Sequence, residues 1–578
     1  MSRSLAHLVP RPPRTALLSG GAVLAAAAVL AGCGSNSQVP GSGNATGNST
    51  AAKATPVKQG GTLTVLDSSS LSATGFALDP AQSWSLATTS MGLLNRRLTT
   101  WKIGRTGVAK VVPDLATSDG TPSDGGKVWT YHLKKGIYFS NGQPITSQDF
   151  KYAIERTYAP ALSGGENYQK PLIADTKGYT GPFGGKSLPS IQTPNSDTIV
   201  FHLNKPYGLW PWVVSTVSMS PVPAGKAPAA TFAKHPITSG PYAVQSASQT
   251  QIVMVRNKYW KRSTDPNRSD GPSKIIFKLN QDPTVEAQTL ISDNGSAQNS
   301  FGADFVPPAQ LAQISSNPSA KSRLVTSPAS PLEYLAVNMK SKQLQNAKVR
   351  QALQYAINRQ SIIVASGGTI AAAPATTLIT PGIAGRVPYD MYPAGNSGNP
   401  AKAKQLLKQA GVTHLNLTLA VENLPVDTAI AQAVQQAYQK AGIKVTLKTL
   451  SQDSYFGLVT GNNASGYDLA LASWQPDFPS AYDNIEPLFN SADIGNGNYN
   501  LSRLDDPTVD KIINQAEATI SPSKSNALWA RADKTIMATG AVVPLVYNRN
   551  SFLRGSNVQN FYIGTFPAYP IYTAVSLG

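Results

Sequence analysis

The sequence predicts an α/β fold divided into more than one lobe. Runs with apolar residues at every second position alternate along the chain with runs of helical spacing, and no internal repeat organises them. A strand–helix–strand succession in the second half is the kind of unit that builds parallel sheets with right-handed crossovers. Beyond its N-terminal segments the chain keeps roughly 520 residues, enough for two or three bodies rather than one.

The N-terminus reads as an export leader. Arg3, Arg11 and Arg14 precede an apolar, uncharged stretch from Thr15 to Gly32, a basic start followed by an apolar run and small residues. By length alone this stretch also fits an uncleaved signal anchor. Leu30-Ala31-Gly32-Cys33 resembles the lipobox of bacterial lipoproteins, which implies a signal peptide over residues 1–32 and lipidation of Cys33, the only cysteine of the chain. Residues 33–56 are rich in Gly, Ser, Asn and Thr and are expected to form a flexible tether, with an r.m.s. reach on the order of 28 Å. Export without further cysteines leaves core size, not disulfides, to stabilise the fold.

The formal charge is +18, falling to +15 without the leader, whose residues 1–32 hold three arginines and no acid. Such a protein associates with anionic headgroups and acidic wall polymers. Nucleic acid has one short candidate, Arg256 to Arg262, where bases interleave with Tyr259 and Trp260, and these aromatic residues are expected to pack the first lobe.

The elements follow in order. Gly60-Gly61 leads into a first core strand, TLTVL. WTYHL puts Trp129, Tyr131 and Leu133 on one face, and TIVFHL does the same with Ile199, Phe201 and Leu203. Between them Thr146 and Asp149 form a capping box ahead of Phe150, Ala153 and Ile154. Val349, Ala352, Leu353, Ala356 and Ile357 make one helical stripe. Asn399 caps the next helix, Pro400 sits at its first position and Gly411 ends it. LNLTLAV, a helix from about Asp427 to Ala441, and IKVTLKTL form the strand–helix–strand unit, and DLALASW from Asp468 is a further buried strand.

Enzyme chemistry finds little footing. There is no Gly-x-Ser-x-Gly elbow and no His-Glu-x-x-His helix. Ser521-Pro-Ser-Lys524 and Ser292-Asp-Asn294 match two motifs of penicillin-recognising enzymes, but in reversed order and without the Lys-Thr-Gly partner. His132, His202, His235 and His414 lack metal-ligand spacing, and no cofactor or metal is expected.

Several stretches together resemble one family: GGTLTVL at Gly60, VWTYHLKKGIYFSNGQPITSQDFKYAIER from Val128, TSGPYAV at Thr238 followed by VRNKYW, KVRQALQYAINR from Lys348, NPAKAKQLLKQAG from Asn399 and LDDPTVDKII from Leu504. In order and spacing they resemble the peptide and nickel class (family 5) of solute-binding proteins that feed bacterial ABC importers. The likeness departs at Lys340 to Asn346, KSKQLQN, where the family often carries Pro-Phe-Asp-Asp. The resemblance implies a periplasmic-binding-protein-like fold of type II, cluster C. Its first lobe would comprise residues 57–330, with an extra α+β subdomain over 109–235 and completion by 541–578. The second lobe would comprise 331–540. A hinge would close the two lobes on ligand.

The resemblance also implies an extracytoplasmic, monomeric peptide receptor that delivers to permease subunits, with an oligosaccharide or a nickel complex as the alternative ligand. Peptide-binding members place a carboxylate for the peptide ammonium in a Trp-x-x-Asp turn. LASWQPD puts Trp474 and Asp477 at those positions, so Asp477 is expected to receive the ammonium and Trp474 to line the pocket. On residues alone, an aspartate before Phe-Pro is ordinarily turn-stabilising, and Trp474 fits plain core. Ser68, Ser69 and Ser70, just after the first strand, are candidates for the cleft mouth, and the Thr238–Tyr242 turn is expected to be structural.

Overall fold

The computed structural model describes residues 54–71, 77–83, 88–162, 164–165 and 167–578. The leader, Cys33 and the tether up to residue 53 lie outside the described residues.

Two lobes are built on three main sheets. A five-stranded sheet carries, in order, Ser300–Gly302, Thr62–Leu66, Lys274–Lys278, Gln251–Arg256 and Tyr242–Ala247. Thr62–Leu66 runs parallel to both neighbours, so Leu63 and Val65 are buried beneath covering segments. The C-terminal tail supplies one cover: the Tyr572 ring stacks on Phe277 at 5.9 Å and meets Phe301 edge-on at 5.2 Å.

A four-stranded antiparallel sheet (Thr121–Ser123, Val128–His132, Thr198–His202, Ile191–Asn195) forms a separate body in the same lobe. Trp129, Tyr131, Ile199 and Phe201 point into its core, as their period-two spacing predicts. Helix Ser147–Arg156 covers it, and the Asp149 carboxylate takes the Thr146 backbone N–H at 2.7 Å. Trp260 donates to Asp265 at 3.0 Å within the first lobe, and the Thr238 hydroxyl donates to the Tyr242 carbonyl at 2.8 Å.

The second lobe holds a six-stranded sheet in the order Ala372–Pro374, Val542–Asn548, Leu332–Val337, Leu469–Trp474, Leu415–Glu422, Ile443–Leu450. Leu415–Glu422 and Ile443–Leu450 pair in parallel across helix Pro425–Lys440, the predicted crossover unit. Asn399 accepts from the Lys402 N–H at 2.9 Å and opens helix Pro400–Gln409.

Two expectations shift. The helix from Lys348 spans only Ala347–Ala356, because Ile357 is extended and Asn358 caps a new helix, Arg359–Ala365, by accepting from Ser361. Val542–Asn548, assigned by the expected boundaries to the first-lobe tail, pairs with Leu332–Val337 in the second-lobe sheet. All but its last residue are fully buried, which suits a strand covered on both faces.

Two chain segments cross between the lobes side by side. Ser327 and Asn550 pair at 2.8 Å, Ser330 donates to Asn548 at 3.0 Å, and Asn548 donates to the Pro331 carbonyl at 2.7 Å. Short paired crossings of this kind let φ/ψ changes at a few residues swing one lobe against the other.

Candidate functional site between the lobes

The site grows from the C-terminal end of Leu469–Trp474, held between Leu332–Val337 and Leu415–Glu422. Its last residue, Trp474, is buried against the Tyr499 ring at 5.3 Å, and its indole N–H donates to the Asp483 carbonyl at 2.7 Å. The chain then turns through Gln475-Pro476-Asp477-Phe478 into helix Tyr482–Phe489.

Asp483, in the first turn of that helix and completely buried, shapes the turn. Its carboxylate accepts the Asp477 backbone N–H, which brings the two acidic side chains next to each other. Burial, reinforced by the neighbouring Asp477 charge, pushes the Asp483 carboxyl well above the ordinary carboxylate range.

The first lobe reaches this pair through Tyr168. Its hydroxyl donates to the Asp477 carboxylate and lies 3.4 Å from Asp483 Oδ1. Burial, with the Asp477 charge second, raises the phenol well above its ordinary value, so Tyr168 stays a donor. Phe478 seals the flank: Tyr482 stacks on it at 5.8 Å, Trp212 of the first lobe at 6.3 Å, and Tyr168 meets its edge at 5.1 Å. Water-poor aromatic walls around paired carboxylates strengthen any charge interaction made there.

Below this floor the lobes touch backbone to backbone. Gly208 donates to the Glu517 carbonyl at 2.7 Å, and Lys205 pairs with the Glu517 carboxylate at 2.6 Å. A Cβ on Gly208 would stand 2.1 Å from the Thr519 carbonyl oxygen, so only glycine permits this approach.

Of the sequence-predicted residues, Trp474 and Asp477 come together at the lobe interface. Ser68, Ser69 and Ser70 stand at the end of Thr62–Leu66, with their described bonds inside the first lobe. Ser68 gives its N–H and hydroxyl to Asp304 at 2.7 and 2.6 Å, and Ser69 gives its N–H to Asp67 at 2.7 Å, while Ser70 is exposed. Three residues escaped the sequence reading. Asp483 was signalled only as a second acid six positions on, and Tyr168 by nothing local. The third is Gln475, whose side-chain amide nitrogen and oxygen are both buried without a hydrogen-bond partner among the described residues.

Residues 110–496 match the sequence profile of the bacterial extracellular solute-binding proteins, family 5 Middle. The chain belongs to that family. Family 5 proteins are the solute-binding components of ABC importers, and they work outside the cytoplasm. The chain is similar to the glutathione-binding protein GsiB of Salmonella choleraesuis (strain SC-B67), 26% identical over 462 residues, or 78% of this chain and 84% of that protein. With GsiB of Escherichia coli O1:K1 / APEC it shares 27% over 453 residues, 77% and 82% of the two chains. Among solved structures, clavulanic acid biosynthesis oligopeptide binding protein 2 superposes with a TM-score of 0.83 at 29% identity, covering 90% of this chain and 96% of that one. The ABC transporter-associated periplasmic binding protein DppA of Helicobacter pylori, in complex with peptide STSA, shares the fold at a TM-score of 0.65 and 21% identity, covering 90% and 98%. These relatives of the family 5 chain are solute-binding proteins.

Among the described residues no helix is long and apolar enough to cross a membrane, and no group of three or more His, Cys, Asp or Glu is arranged to hold a metal ion.

Proposed function

We propose that this family 5 protein is a lipid-anchored receptor that captures oligopeptides between its lobes and presents them to the permease subunits of an ABC importer. In this reading Cys33 carries the lipid and the chain acts as a monomer without catalysis or cofactor. Asp477 receives the peptide ammonium, Trp474 lines the pocket, and Ser69 and Ser70 stand at its mouth. Main-chain pairing of the extended peptide adds affinity that ignores side-chain identity. Gln475 offers one further donor and acceptor to the first peptide group.

The observation that carries this reading is the carboxylate pair Asp477–Asp483, enclosed by aromatic rings where the lobes meet. Two adjacent buried carboxylates resist joint ionisation, and an ammonium between them relieves the repulsion. Its arrival favours the closed arrangement by as much as it binds that arrangement more tightly. The similarity to oligopeptide- and glutathione-binding proteins supports ligands of this class, since glutathione also carries a free α-ammonium.

The test is a thermal-shift titration with a tetrapeptide, its N-acetylated form and glutathione. At one hundred times Kd the free-amine peptide should stabilise the fold by about 2.7 kcal/mol. An acetylated peptide that stabilises equally well removes the ammonium from the reading, and cleavage of the peptide, seen by mass spectrometry, removes the receptor.

A further inference from the structure

Two adjoining cavities of about 230 and 330 Å³, lined by none of the residues placed around Asp477, open on the first lobe and share the wall residues Arg268 and Tyr562. Arg97 and Lys102 complete the cationic wall of one, Arg105 and Arg262 that of the other, and no carboxylate lines either among the described residues. Behind the wall, Asp114 and Asp265 are fully engaged. Asp114 binds Arg96 at 2.8 Å and Arg268 at 2.6 Å, and Asp265 binds Arg268 at 3.1 Å. Arg96 and Arg268 share these two carboxylates, which therefore face away from the cavity lining. At the rim Lys102 and Arg262 are exposed, and the Arg105 guanidinium lies 4.5 Å over the Tyr562 ring. Partial burial depresses that guanidinium, with the Tyr562 phenol opposing, and an anion beside it would relieve the cost of its charge.

A second observation bears on the occupant. Ala54, Thr55 and Val57, where the N-terminal tether joins the folded body, line the larger cavity. Asn560 clamps them there, accepting from the Thr55 N–H at 2.9 Å and donating to its carbonyl at 3.0 Å. The chain between Cys33 and this clamp can span at most about 75 Å, so a membrane holding Cys33 can lie no farther than that from this face.

We propose that this paired cavity is a binding site for the phosphodiester headgroup of an anionic phospholipid, seated by Lys102, Arg105 and Arg262 above Arg97 and Arg268. It orients the first lobe on the membrane from which the tether rises. The choice of a lipid over a soluble phosphate rests on the anchored reading of Cys33. The cationic cavity itself does not.

The test titrates the full chain with monomeric short-chain phosphatidylglycerol, short-chain phosphatidylcholine, glycerol phosphate and inorganic phosphate, following heat by calorimetry. Any apolar uptake by the leader is common to both lipids, so the headgroup alone separates them. Phosphatidylglycerol should bind and phosphatidylcholine should not, and the triple variant Lys102→Glu, Arg105→Glu, Arg262→Glu should lose about 100-fold in affinity. The same variant should keep its free-amine peptide affinity, so failure here is separable from failure of the peptide reading. If that variant folds poorly, Lys102→Ala with Arg262→Ala, both at exposed positions, should still weaken phosphatidylglycerol. Equal binding of both lipids, undiminished binding by the variants, or glycerol phosphate or inorganic phosphate binding as tightly as the lipid each overturns the assignment.

Discussion

Replacing Asp477 tests the site most directly. Asp477→Ala removes the carboxylate that Tyr168 reaches from the first lobe, while the Asp477 backbone N–H still donates to the Asp483 carboxylate. Asp477→Asn keeps the shape and an acceptor for Tyr168 but removes the charge. A ligand ammonium enclosed by Phe478, Trp212 and Tyr482 then loses its ionised partner, since burial keeps the neighbouring Asp483 carboxyl from taking its place, and losing one partner of a buried pair costs about 3–5 kcal/mol. At about 1.4 kcal/mol per tenfold, affinity for a free-amine peptide should fall about 150- to 4,000-fold in either variant. The empty protein should keep its melting temperature, because removing one of two neighbouring carboxylates also lifts their mutual repulsion. Isothermal titration of wild type and both variants with one tetrapeptide, beside their melting curves, gives the answer. An Asp477→Asn protein that binds within about threefold of wild type would show that Asp477 does not hold the ammonium.

Two further outcomes are expected. Gln475→Ala should weaken peptide binding about two- to tenfold, the worth of a neutral hydrogen bond, while leaving the empty fold as stable or slightly more so; titration and melting together check this, and lost stability with unchanged affinity would assign Gln475 to the fold. Burial raises Asp67 from 3.8 to about 6, with the Asp304 charge adding to the shift and the bonds from Ser69 opposing it. The folded state therefore holds more protons than the unfolded chain between about pH 4 and 6, and this contribution to stability is lost as pH rises through that window. Asp67→Asn should flatten the fall of unfolding free energy over the same range, by about 3 kcal/mol at most, and melting profiles across pH that stay parallel would contradict it.

What the sequence revealed of the fold and the site follows from the range of the forces involved. The stripe of Val349, Ala352, Leu353 and Ala356, the Asn399 cap and the alternation of Ile443 and Val445 are each set within about a dozen residues, and the structure holds them. The break at Ile357 was hidden because the apolar spacing runs through it, while Asn358 begins a new helix by a side-chain bond that periodicity does not register. The place of Val542–Asn548 is a pairing choice between sheets, decided by a partner strand some two hundred residues earlier. Trp474 and Asp477 stood out through a four-residue spacing, whereas Tyr168 meets Asp477 across a sequence separation of 309. Ser68 reads as a free hydroxyl until Asp304, 236 residues away, takes both its N–H and its Oγ.

On the proposed function, the glycine at 208 bears on how one receptor would handle cargoes of different size. Where peptide planes meet, a closing swing of the lobes would end on a hard contact of fixed length, set by Gly208 against Glu517 and Thr519 and not by what is enclosed. A short cargo and a bulky one would then arrive at the permease in the same outward shape, and a methyl group at this position would act as a doorstop, holding every complex ajar by the same amount.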